Sequence, residues 1–143
     1  MKLNFKNLMK LISGYICESK KLNQVDFLFC LFGYFSEKNP NFYFDNGRVC
    51  KWLKGSAPVS NKIVKFYTRS SSNFLKLTED VKNFLLPCFY DKAKVISELH
   101  SMVSGDETLS IEKRTELLQN YNCEEHFLTD LIIFALERHF EKE

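Results

Sequence analysis

NQVDFLFCLFGYFS, residues 23–36, decides the fold of this chain. Phe27, Leu28, Leu31, Phe32 and Phe35 follow the three-to-four spacing of a helix, where a strand would alternate every second residue. The run is apolar almost all the way round, and a helix without a polar face belongs at the centre of a core. A central helix over Asn23 to Ser36 is therefore expected, with other helices packed about it.

Reading outward, Phe5, Leu8, Leu11 or Ile12, and Tyr15 predict a first helix over about residues 3–19. Asn39-Pro40-Asn41 ends the central helix, since both residue types suit turns. Phe42-Tyr43-Phe44 reads as a short aromatic strand that could pair with Phe74 to Leu77, which alternate in polarity. Asp45 is a fair N-cap for a helix from Asn46 to Lys54, with Val49, Trp52 and Leu53 inward and Gly55 as its stop. Ser60 caps the next helix, Asn61 to about Arg69, and Ser70 to Asn73 reads as a polar loop. Thr78 is expected to cap a further helix, which Pro87 breaks or kinks. Helices over Asp91 to Val103, 111–120 (capped by Ser110) and 124–141 complete the chain, the last with Phe127, Leu128, Leu131, Ile132, Ala135 and Phe140 inward. The expected fold is mostly α: one domain over 1–143, of six to eight helices, with at most one short two-stranded β pairing.

Length and composition agree. A chain of 143 residues with 45% hydrophobic residues can bury roughly 68–70% of its unfolded surface in one core. The longest uncharged run, Phe27 to Ser36, is about half the ~20 residues that a membrane span needs. Lys2, Lys6 and Lys10 interrupt the apolar N-terminal stretch, so no secretory signal is read there. Cys17, Cys30, Cys50, Cys88 and Cys123 are odd in number and widely spread, which suits reduced thiols and a cytoplasmic location.

Charge is divided unevenly. Residues 1–76 hold thirteen Lys/Arg against four Asp/Glu, and 77–143 hold seven against fourteen, which is +9 and −7 within a net +2. Such a division implies a basic face for a polyanionic partner and an acidic helical half for a protein partner; the alternative is mutual neutralisation across an internal interface.

Catalytic motifs are missing. Cys123 and His126 form the one close Cys/His pair, with no second pair at a zinc spacing, and there is no Gly-rich phosphate loop or nucleophile elbow. The acids Asp106, Glu107, Glu112, Glu116, Glu124 and Glu125 read as solvated helix faces. Neither a cofactor, a metal nor an enzymatic activity is expected.

The segment GRVCKWLKGSAPVSNKIVKFY, residues 47–67, holds the single Trp and five basic side chains with no acid. Its Trp52-Leu53-Lys54-Gly55, followed by a turn with Pro58 and a helix opened by Ser60, resembles the end of the recognition helix in the Cro/repressor-type helix-turn-helix family. The likeness covers about twenty residues. It implies DNA binding, with Asn46, Arg48 and Lys51 facing bases and Lys54, Lys62, Lys65 and Arg69 facing phosphates. A positioning helix close upstream is missing from the reading, so residues 23–36 either take that role across a long turn or the segment is a relic. The leading expectation is thus a non-catalytic DNA-binding module. The alternative is a small phage or mobile-element inhibitor, of the anti-defence (anti-CRISPR) type, that binds a host nucleic-acid-processing complex; the Lys-, Asn- and Phe-rich composition of an AT-rich genome fits such a source.

Overall fold

Eight α-helices make up the described part of the chain, residues 2–68 and 71–138 of a computed structural model. They are α1 (Phe5–Ser13), α2 (Gln24–Lys38), α3 (Asn46–Lys54), α4 (Asn61–Thr68), α5 (Ser71–Asp80), α6 (Lys92–Ser104), α7 (Ile111–Leu118) and α8 (Glu124–Arg138). No strand occurs among the described residues, and the mostly α expectation holds.

As expected, α2 is central. Phe27, Leu28, Leu31, Phe32 and Phe35 are all buried, and α2 packs against α3, α4 and α5. Its backbone leaves helical geometry at Phe32 (φ −119°, ψ 21°), which kinks the helix. The Phe35 N–H donates to the Tyr67 hydroxyl oxygen at 3.2 Å, so the ring of α4 satisfies a buried backbone group beside the kink. Burial pushes the Tyr67 phenol up from its ordinary range, which keeps it neutral. Around this contact Phe32, Phe35, Phe66 and Tyr67 meet with ring centroids 5.0–5.9 Å apart.

The anticipated β pairing is absent. Residues 42–44 are irregular, and 74–77 lie inside α5. Four alternating residues fit either period, and the longer pattern decides: Leu77, Val81 and Leu85 are buried at the helical repeat of four, with Leu75 at 58% exposure. Ser71 to Asn73 are likewise helical rather than loop, and Thr78 is no N-cap, since its hydroxyl donates back to the Phe74 carbonyl at 3.2 Å. After α5 the chain makes one π turn (Val81–Leu85) and one 3-10 turn (Leu86–Cys88) that contains Pro87. The first helix is also shorter than expected, ending at Ser13. Beyond it an antiparallel bridge joins Ile16 to Phe89, flanked by Cys17 N–H to Cys88 oxygen at 2.7 Å and Tyr90 N–H to Tyr15 oxygen at 3.0 Å. Helix α7 ends at Leu118, and α8 is described to Arg138; Arg69 and Phe140 lie outside the described residues.

One core spans both charge halves, from Leu3 to Leu136. A buried polar latch fastens its ends: Asp106, 1% exposed, accepts from the Leu3 N–H at 2.8 Å, from Arg138 Nη1 at 3.0 Å, and from the Thr108 N–H and hydroxyl. Burial alone would raise the Asp106 carboxyl, but these donors outweigh it and hold the group at about 2.

Two outcomes follow from these contacts. Replacing Tyr67 with Phe should cost about 1–3 kcal/mol in denaturant unfolding, because a buried hydrogen bond between α2 and α4 is removed; unchanged stability would show that this bond contributes nothing to the packing of α4. For Asp106 the folded group lies below its ordinary value of 3.8, so its stabilisation is complete above that value and is lost as pH falls through about 2. The Asp106→Asn protein should therefore lack this acid limb between about pH 4 and about pH 2, and should be less stable at neutral pH by about 3–5 kcal/mol, since Arg138 loses its carboxylate.

Candidate nucleic-acid interface

Helix α3 is set by its own ends. The Asp45 carboxylate accepts from the Arg48 N–H at 2.8 Å, and Gly55 closes the helix in the left-handed region at φ 75°. Ser56 N–H bonds back to the Lys51 carbonyl at 3.0 Å and Gly55 N–H to the Trp52 carbonyl at 3.2 Å, the paired bonds of a Schellman ending. Val49 and Trp52 face inward, at 0% and 3% exposure. The Trp52 ring stacks on Phe42 at 6.4 Å and meets Phe44 edge-on at 5.8 Å. The segment expected to be a strand is thus an aromatic strap: Phe42 and Phe44 fold back over α3, and they also touch Phe35 and Phe29 of α2, respectively, each at 5.1 Å.

Asn46, Arg48, Lys51, Lys54, Lys62 and Lys65 are all exposed; Arg69 lies outside the described residues. Arg48 is exposed but engaged. Its guanidinium lies 5.3 Å from the Phe42 ring centroid, and Nη1 donates to the Tyr43 carbonyl at 3.3 Å. Lys62 and Lys65 occupy the side of α4 away from Ile63, Val64 and Tyr67. Helix α3 rests on α1 and α2, and α4 on α2, α5 and α8, so the two basic helices share α2 and otherwise have different supports. Between them, Val59 is fully buried and Pro58 exposed.

Helix α2 directly precedes α3 and packs against it, across a connection of residues 39–45. Helix-turn-helix turns are of three to four residues. The connection between α2 and α3 is therefore longer than a helix-turn-helix turn.

Sequence reasoning missed α1. A Cβ placed on Gly55 would sit 3.1 Å from Lys6 Cδ, so the Lys6 stem lies across the end of α3. Lys6 and Lys10, one turn apart and both exposed, extend the basic surface from α3 onto α1. Their spacing opposite Phe5, Met9 and Ile12 was visible; the nearness of Lys6 to residue 55 was not.

Among the described residues, Lys6, Lys10, Lys51, Lys54, Lys62 and Lys65 form no ion pair. Lys92–Glu124, Lys113–Glu116 and Arg138–Asp106 pair within the acidic half, and Lys76–Asp80, at 3.3 Å, joins one half to the other. Mutual neutralisation of the two halves is not how these six lysines are accommodated. No group of three or more metal-capable side chains occurs among the described residues. Among the described residues, no helix is long and apolar enough to cross a membrane. No family model, curated protein or solved structure matches this chain.

Trp52 is a structural residue. Its replacement by Ala should cost about 3–5 kcal/mol, the range for a large core aromatic, and an unchanged melting temperature would contradict its burial under the strap.

Proposed function

We propose that this protein is a non-catalytic binder of duplex DNA, engaged through α3, the turn after it and α4. The observation behind this reading is the set of four exposed lysines, Lys51, Lys54, Lys62 and Lys65, without a carboxylate partner among the described residues. Such ammonium groups gain most where they replace condensed counterions on phosphates. Lys54, Lys62, Lys65 and Arg69 serve the backbone in this reading, and Asn46, Arg48 and Lys51 face base edges. Arg48 enters pre-oriented by Phe42 and the Tyr43 carbonyl, with one N–H used and other donors of its guanidinium left for an acceptor.

A second reading is an inhibitor that binds a protein complex through the acidic half. It is favoured by Ile111, 78% exposed at the start of α7 between the exposed Glu107 and Glu112. An apolar side chain flanked by acids suits a basic, nucleic-acid-handling surface on a protein.

The discriminating measurement is duplex affinity against salt. Four phosphate contacts at about 0.9 each give a log–log slope near −3.6, and Lys65→Ala should reduce it by about one unit on every sequence. Arg48→Ala should cost about 1–3 kcal/mol on a preferred site and much less on random duplex. Absence of binding at ~50 mM salt, where such contacts are strong, overturns the duplex reading. Loss of binding to a nucleic-acid-processing complex on Ile111→Asp, with no duplex binding, establishes the second.

A further inference from the structure

A groove of about 620 Å³ lies where α1 and the last turn of α3 meet the first turn of α2, with the α1–α2 connection as a further wall. Lys6, Lys10, Lys21 and Lys54 line it, all exposed, against one carboxylate, Glu18. None of the four forms an ion pair among the described residues. Lys10 and Lys54 lie in the last turns of their helices, where a cation complements the helix dipole, but Lys6 and Lys21 have no such role. Between these charges Ile16, Leu22 and Leu53 pack against the core yet stay only partly buried, with the polar Ser13, Asn23 and Gln24 beside them. Like charges around an apolar concavity repel one another, and low-dielectric walls focus their field on whatever enters.

We propose that this groove binds a small amphipathic carboxylate, an unbranched acyl anion. Its tail lies over Ile16, Leu22 and Leu53, and its head group sits among the lysines. Three features select this class. The volume falls within the roughly 300–1,000 Å³ of small-ligand sites, which pair apolar lining with a few polar groups. The cations are all lysines, compact point charges that suit a single anionic head and lack the guanidinium fork for planar, two-pronged recognition. The one aromatic at the groove, Phe27, is only 4% exposed, so a chain finds contact where a ring finds nothing to stack on. Of the groove's lysines Lys54 is shared with the proposed duplex contacts, whereas Lys10, Lys21 and Leu22 are not among them, so substitutions at these three test the groove separately from that reading.

The test is calorimetric titration of the full chain with octanoate, decanoate and dodecanoate, each below its micellar concentration. Decyltrimethylammonium serves as the same tail with the opposite head, and inorganic phosphate as a head without a tail. One-to-one binding is expected, tightening about fourfold for each added methylene, equivalent to ~0.8 kcal/mol. The cationic amphiphile and phosphate should not compete. A Lys10→Gln/Lys21→Gln protein, altered only at exposed positions, should bind dodecanoate about tenfold more weakly with an unchanged circular dichroism spectrum. Leu22→Ser should flatten the dependence on tail length. Affinity that ignores tail length, equal binding of the cationic amphiphile, or dodecanoate binding that survives the double substitution unchanged would overturn the proposal.

Discussion

The Phe35 N–H bond to the Tyr67 hydroxyl is the interaction on which the arrangement of helices depends. An unkinked α2 would run its hydrogen-bond ladder past Phe32 without a break. The departure at Phe32 disturbs that ladder inside an apolar core, where a lone N–H is costly. Tyr67 meets the need from α4, and its ring then joins Phe32 and Phe66. The kink in α2 and the docking of α4 thus meet at this residue pair. Through Phe35 the same site reaches Phe42, then Trp52, and so fixes α3 as well.

Both basic helices thus hang from α2 by aromatic packing and not by charge. At the other end of the molecule the polar latch works differently. Asp106, Arg138, Thr108 and the Leu3 N–H satisfy one another where the N-terminal segment meets α8, and the carboxylate stays ionised because its donors outweigh its burial. Removing Asp106 or Arg138 from the latch leaves the other charge stranded, whereas truncating one of the aromatic rings leaves a cavity. The two ends of the fold would fail by different routes.

What the sequence made legible follows the range of the interaction. Asp45, Trp52 and Gly55 lie within about ten residues of one another, and their capping and burial are local, so α3 is read correctly to the residue. The apolar face of α2 is just as plain, but its kink is not: its partner Tyr67 is 32 positions beyond Phe35, and no local rule links them. Residues 74–77 mislead because four alternating residues fit two periods, and the buried repeat that settles the matter extends to Leu85. The basic character of the candidate interface is open in the sequence at Lys51, Lys54, Lys62 and Lys65. The contribution of Lys6 is hidden, because it arises only where α1 crosses the end of α3.

This separation of core from charge bears on what the basic surface can do. An exposed ion pair contributes little to stability, so a fold has little to gain from neutralising its surface lysines. Here the lysines of α1, α3 and α4 project from helices whose opposite faces hold Ile12, Trp52, Ile63 and Tyr67, none above 3% exposure. Packing settles where each helix sits, and the charge on its outer face is left free to vary. A surface built this way can keep its lysines unpaired without loosening the core. Their mutual repulsion is then available to any anion that relieves it, a duplex along α3 and α4 or a smaller ion in the groove beside α1. Lys54 belongs to both surfaces, so occupation of one would be felt at the other.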